Sequence, residues 1–304
     1  MKNKKLKFVV YALPYDENTG GIIALHRLCD LLNQKGEEAY LSKFYFSFPK
    51  FNKRIILRSI YRILRWFVQR YLIPFKTNKI FNTPIINNNQ INDEYIVIYP
   101  EIVSGNPLNA KNVVRWLLHK PGFHTGEINY GKNDIFFFYQ VIFNDPVINP
   151  HEDHLLSVSW VRDDIYKQTN TQVRKGSCYM IRKGRGKKIV HDLNNSILLD
   201  GKSHKEIAKI MNKCEYFISY DLQTMYSQYA VLCGCKSIVI PENGVSKNEW
   251  QPKKEFQYGI AYGFDDIEEA EKTRDLVYES IKREEDNSNV SVGHFIKKIY
   301  KFFG

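Results

Sequence analysis

The stretch SYDLQTMYSQYAVLCGCKSIVIPENG, residues 219–244, decides how the chain is read. Just ahead of and into it, CEYFIS (214–219) is a short apolar run bounded by polar residues, the pattern of a buried strand. Asp221 and Thr224 then stand where a helix N-cap and first turn belong. Tyr226, Tyr229, Ala230 and Cys233 recur at helical spacing, and Gly234 sits where a left-handed cap ends a helix. Residues 237–240 are a second β-branched run, stopped by Pro241. Strand, helix and strand in this order predict a βαβ unit and a parallel sheet. A strand feeding a helix through a hydroxyl-bearing turn also makes an anion site, because the first-turn N–H groups and the positive dipole end face the ligand. Thr224 and Ser227 add hydroxyl donors there.

Working upstream, residues 177–181 read as a strand that ends in RKGRGKK (182–188), which puts Arg182 and Lys183 at a strand end. A short strand follows at 197–200, then Ser203 and Glu206 form an S-x-x-E capping box for a helix over 204–212. Near the N-terminus, a strand (6–13), the loop PYDENTGG, a helix (22–34) and a strand (38–42) make a second βαβ unit. Gly20-Gly21 lets the backbone approach a ligand closely, although a plain turn serves the same residues. The strand at 95–99 delivers Pro100-Glu101 and IVSGNPLNA; the strand at 113–118 delivers HKPGFHTG. Ligands of open α/β sheets bind at strand C-terminal ends. Glu101, Asn106, His119 and His124 are therefore candidates, with Glu101 or a histidine as general base toward a hydroxyl.

The aromatic run 134–143 is expected to be the last strand of a first domain, and NDPVINPHEDH (144–154) its proline-marked edge. His151 and His154 have a spacing that suits a metal, but no helix frames them and they read as loop polarity. Residues 157–166 open the second domain. Beyond Pro241, Trp250, Tyr258 and Tyr262 either stack a base or sugar ring or serve packing. A helix is expected over 265–282, and VGHFIKKIYKFFG is an amphipathic segment expected to pack back on the first domain.

A chain of 304 residues accommodates two domains, divided as 1–150 and 151–304. Its 44 Lys and Arg against 33 Asp and Glu leave a net charge of +11, which favours an anionic partner. Five cysteines, odd in number and without framework spacing, fit a reducing compartment. Cys233-x-Cys235 has no second pair to complete a metal site and reads as helix-end packing. Residues 50–76 carry eight Lys or Arg and no acid, with Arg54, Arg58, Arg62 and Arg65 at helical spacing and apolar residues on the other side. A basic amphipathic helix of this kind suits an anionic membrane surface through residues 50–72; the rival reading is a core-packing helix with a solvated basic face. No nucleic-acid fold accompanies it, so a nucleic-acid partner is not expected. The basic N-terminus carries too short an apolar run for a signal peptide and reads as the first strand. No run of 18 apolar residues spans a membrane.

The opening stretch resembles the nucleotide-diphosphate site of GT-B glycosyltransferases. Many retaining members carry an acid there, a second acid eight positions on, and a small-residue helix ending in Gly-Cys; Asp221 matches the first acid, Tyr229 occupies the second place, and Ala230–Cys235 carries the helix end. The ordering YPE…GNPL.A…VVRW.L..PG resembles bacterial glycosyltransferases of surface-polysaccharide (capsule or lipopolysaccharide) assembly. The resemblance implies an α/β fold of two Rossmann-like domains facing across a cleft. It implies a nucleotide-sugar donor held by Gly20, Gly21, Arg182, Lys183, Asp221, Thr224, Ser227 and Tyr229. The acceptor would be a hydroxyl of a surface glycan, free or lipid-linked, contacted by Asn106, with Glu101, His119 or His124 as the base. No D-x-D motif is present, since Asp163-Asp164 and Asp265-Asp266 are adjacent pairs, so no metal or other cofactor is expected for the transfer. The expected place is the cytoplasm, peripheral on the inner face of the membrane. A CMP-sugar-dependent transferase on a similar scaffold and a non-catalytic polyanion-binding protein remain alternatives, and retention or inversion stays open.

Overall fold

The computed structural model describes residues 5–44, 60–61, 63–64, 67–72 and 74–304. It contains two five-stranded sheets, and every strand pair in both is parallel. The chain divides into two compact units. One comprises residues up to Trp160 together with Glu285–Gly304, the other Val161–Glu284. The boundary thus falls ten residues beyond the expected 150, because the chain through Leu156 and Val158 still packs into the first core.

In the first unit, β1 (Lys7–Ala12) leads through α1 (Gly20–Gln34) to β2 (Glu38–Lys43), and β3 (Tyr95–Pro100), β4 (Asn112–Leu117) and β5 (Ile135–Phe138) follow. The sheet order is β2-β1-β3-β4-β5. KFVVYA and YIVIYP are apolar on both faces, as a sheet covered on both sides requires. One face packs on Ala24, Leu25, Leu28, Leu31 and Leu32 of α1, and on Val292, Phe295 and Ile299 near the C-terminus. The other carries Val9, Tyr11, Val97, Tyr99 and Val113 with Phe44 and Ile86. The aromatic run expected as a ten-residue strand yields only four strand residues, and Val141–Phe143 turns away as a 3-10 helix.

The second unit repeats this plan with β6 (Ser177–Met180), β7 (Ser196–Leu198), α2 (His204–Met211), β8 (Tyr216–Ser219), α3 (Tyr226–Leu232), β9 (Lys236–Val239), α4 (Lys247–Trp250), β10 (Ile260–Tyr262) and α5 (Ile267–Lys272). Its sheet order, β10-β9-β8-β6-β7, is the order of the first sheet written in the opposite direction. The capping box of α2 is formed as expected: Ser203 Oγ accepts from Glu206 N, and the Glu206 carboxylate accepts from Ser203 N at 3.0 Å. Cys178, Cys214, Cys233 and Cys235 are all buried free thiols, and Cys235 Sγ donates to the Met211 carbonyl.

The helix expected over 265–282 is interrupted. α5 stops at Lys272, and a 27-residue helix, α6 (Val277–Phe303), begins after a 3-10 turn. Thr273 causes the break: its hydroxyl donates to Ala270 O and accepts from Gly259 N, each at 3.0 Å, a local bonding pattern that competes with helix continuation. α6 begins in the second unit, and from Glu285 onward its residues belong to the first.

Arg54, Arg58, Arg62 and Arg65 of the basic stretch lie outside the described residues. The described part, which includes the π-helical turn Val68–Leu72, exposes Ile60, Tyr61, Leu64, Phe67, Val68, Tyr71 and Leu72 by 39% to 67%. No described helix is long and apolar enough to cross a membrane.

Candidate functional site

In a parallel sheet of this strand order, the chain leaves two neighbouring central strands in opposite directions, which opens a crevice at their C-terminal ends. That switch point lies between β6 and β8 in the second unit and between β1 and β3 in the first. The sequence candidates fall at these two places.

In the second unit, Met180 pairs with Ser219, so the residues after β6 emerge beside those after β8. The turn after β6 is unusual. Arg182 holds a left-handed conformation with φ of 40°, which a long side chain adopts only under constraint. The constraint is Asp200, whose carboxylate accepts from the backbone N–H of both Ile181 and Arg182 at 2.8 Å. Gly184 is pressed on the segment just past β8 so closely that a Cβ there would stand 2.1 Å from Tyr220 O. Thus anchored, Arg182 carries its guanidinium over the Tyr226 ring, 5.3 Å from its centre, at the first turn of α3. Lys183 beside it is exposed.

After β8, Asp221 is buried and its carboxylate accepts from Gln223 N at 3.1 Å. The helix then begins at Tyr226 rather than at Asp221, and Thr224 Oγ1 accepts from Tyr226 N at 3.3 Å. Ser227 Oγ is buried and finds no partner among the described residues, so a hydroxyl stands unsatisfied at the helix start. Tyr229 is 5% exposed and stacks face to face on Tyr166 at 4.1 Å. Burial pushes its phenol up, so it stays neutral. It belongs to a buried ring cluster in which Tyr166 and Tyr226 both bond His204. Trp250 and Tyr262 stack on each other at 5.0 Å, and Trp250 Nε1 donates to Leu222 O, so these aromatics serve packing and hold the loop after Asp221.

In the first unit, α1 opens at Gly20-Gly21, and no side chain among the described residues caps it. A Cβ on Gly20 would meet nothing within 4 Å, and one on Gly21 would touch Leu118 at 3.6 Å, just past β4. Glu101 follows β3. It is 6% exposed, its Oε2 accepts from Leu118 N at 3.1 Å, and burial pushes its carboxyl up to about 7 although backbone N–H groups, including that of His119, pull it down. His119 stacks on Phe143 and lies with its ring centre 4.8 Å from that of His124. Glu101, His119, His124 and Gly21 are therefore grouped around the ends of β3 and β4. Asn106 is occupied otherwise: its amide bonds Tyr99 OH and both backbone groups of Ala110, closing its own loop.

Sequence reasoning missed three supports. Arg115 is fully buried, pairs with Asp134 at 2.6 Å and donates to the carbonyls of Val103 and Gly105, which fixes the loop after Glu101. Its signal was a charge in the middle of VVRW, where a strand buried on both faces tolerates one only when paired. Asp200 and Gly184 were legible as an acid directly after ILL and a glycine in RKG, but only the tertiary pairing gives them a task.

Neither a protein-family model nor a curated protein sequence matches the chain. Among solved structures it is similar to the glycosyltransferase SnogD from Streptomyces nogalater, with a TM-score of 0.39 and 8% identity over 98% of this chain and 100% of that one. It is also similar to the spinosyn forosaminyltransferase SpnP, with a TM-score of 0.40 and 10% identity over the same 98% and 100%.

Proposed function

We propose that the chain is a metal-independent, GT-B-like glycosyltransferase that moves a sugar from a nucleotide sugar to a hydroxyl of a bacterial surface glycan. The second unit takes the donor and the first the acceptor. The observation that supports this reading is the pair of switch points: Arg182, Lys183, Thr224 and Ser227 lie in the segments that follow β6 and β8 at one, and Glu101, whose carboxyl burial pushes up to about 7, follows β3 at the other. The first set suits a diphosphate, because cations and hydroxyl donors stabilise the charge that develops as the sugar C1–O bond breaks and its electron pair passes to the phosphate oxygen. The second suits proton removal from the attacking hydroxyl, since a base whose pKa lies near the working pH is the most effective. Glu101 takes that proton as the new C1–O bond forms, with His119 and His124 beside it. Gly20 and Gly21 offer backbone N–H groups at the start of a 15-residue helix, where an anionic part of the donor is favoured.

The exposed apolar side chains over 60–72, set in a stretch rich in Lys and Arg, support a peripheral place on an anionic inner membrane surface, where lipid-linked glycan acceptors are met. The test is calorimetric titration of the chain with UDP-, GDP-, dTDP- and CMP-sugars, followed by assay of hydrolysis or transfer. Saturable binding and turnover of one of the diphosphate donors supports the reading. Turnover confined to the CMP-sugar replaces it with the monophosphate alternative, and binding of none overturns it.

A further inference from the structure

Outside both switch points, the loop after β5 brings together His151, Asp153 and His154, each offering a ligand atom, all within 4.8 Å of one another. His154 gives this cluster its meaning. It is 2% exposed, sandwiched on Phe137 at 4.6 Å and on His151 at 4.4 Å, with Phe302 at its edge. Its Nδ1 lies 2.8 Å from the Phe136 carbonyl, which only accepts, so Nδ1 carries the proton and Nε2 presents a lone pair. Asp153 Oδ1, a second acceptor, lies 4.0 Å from Nε2. Lys298 already pairs with the other oxygen, Oδ2, so a cation placed between Nε2 and Oδ1 would relieve the remaining repulsion between the two acceptors. An imidazole locked through Nδ1 on a backbone carbonyl, with Nε2 left to ligate and a carboxylate and a second imidazole within 4.8 Å, is the starting arrangement of a metal-ligating histidine.

We propose that His151, Asp153 and His154 bind one divalent ion of the zinc class, with water in the fourth position. Imidazole and carboxylate donors select zinc, cobalt, nickel or copper over magnesium or calcium. Ligand atoms around a tetrahedral zinc, each about 2.0–2.1 Å from it, stand about 3.3 Å apart. The exposed side chains of His151 and Asp153 close to that spacing by rotation about their own χ angles, while His154 stays fixed. The backbone beneath is already tied down: Asn149 Nδ2 donates to Asn144 Oδ1 and His151 O, and Leu156 N donates to Phe138 O. Lys298 of α6 now holds the Asp153 carboxylate through Oδ2, so its ammonium competes with the ion. The ion serves no step of the proposed transfer. It fastens the 151–154 loop.

The test is calorimetric titration of the full, chelator-treated chain with Zn²⁺. One ion per chain is expected, in the micromolar range. His151→Ala and Asp153→Asn, both at exposed positions, should each weaken it by about tenfold or more, the scale on which metal sites respond to a lost partner. Lys298→Met should tighten it by removing the competing ammonium, and His124→Ala, at the other histidine pair, should leave it unchanged. Absence of saturable binding overturns the proposal. So does binding indifferent to His151→Ala and Asp153→Asn, or lost with His124→Ala, which marks an adventitious ion only.

Discussion

Replacing Glu101 by Gln keeps the shape of the side chain and an acceptor for the Leu118 N–H, and removes the charge. The structure gives the magnitude. From the ordinary carboxyl value of 4.5 to about 7 is a gap of about 2.5. At about 1.36 kcal/mol for each, burial disfavours the ionised form in the folded chain by about 3 kcal/mol. The folded state therefore holds the Glu101 proton after the unfolded state has released it, so between about pH 4.5 and pH 7 stability falls as pH rises, and above pH 7 this contribution is flat. Glu101→Gln lacks the contribution altogether. Urea denaturation of both proteins should show the variant more stable by about 1 kcal/mol at pH 5 and by about 3 kcal/mol at pH 8. Activity should move the other way. Loss of a general base lowers kcat by about 10²–10⁴, and the rise of kcat/KM with pH near 7 should vanish in the variant. A stability difference that stays constant from pH 5 to pH 8 would refute the burial argument, and normal turnover by the variant would refute the catalytic one. If both outcomes hold, Glu101 is a stability–function trade-off at one residue.

Arg182→Ala should weaken nucleoside diphosphate binding by about 10–100-fold, the worth of one charge-assisted hydrogen bond at about 1.5–3 kcal/mol; calorimetry showing unchanged affinity removes Arg182 from the donor site. Gly184→Ala drives a Cβ to 2.1 Å from Tyr220 O and should cost about 1–3 kcal/mol of stability, whereas Gly20→Ala, with nothing within 4 Å, should be nearly neutral; urea midpoints compare the two. Vesicle co-sedimentation should show binding to anionic and not neutral bilayers, and Leu64→Ser with Phe67→Ser should reduce it by about tenfold or more, at about 1.5–3 kcal/mol for each buried side chain lost. Equal pelleting with both bilayers would sink the electrostatic part.

Local pattern carried much of this fold into view. Short apolar or β-branched runs announced β1, β3, β4, β8 and β9, and S-x-x-E announced α2, because each signal is complete within a few residues. What the sequence could not express was which strands become neighbours. The shared order that makes β6 and β8 adjacent is a non-local pairing, and from it follow the roles of Asp200 and Gly184. Tyr229 shows the same limit at a single side chain. Its spacing placed it correctly on a helix, but which face of α3 meets Tyr166 depends on a segment sixty-odd residues upstream. Thr273 shows the reverse, a local hydroxyl bond overriding a composition that favoured one long helix.

The divided membership of α6 has a consequence for how the protein is made. Val292, Phe295 and Ile299 are wholly buried in the core that contains Phe8 and Leu28. They leave the ribosome about 130 residues after Trp160. At about 5–20 residues per second, the first unit waits about 7–26 s for the side chains that complete its interior. The second unit, a single uninterrupted segment from Val161 to Glu284, is synthesised in full during that wait. The part translated first is thus finished last, and its apolar face is what chaperones meet in the interval.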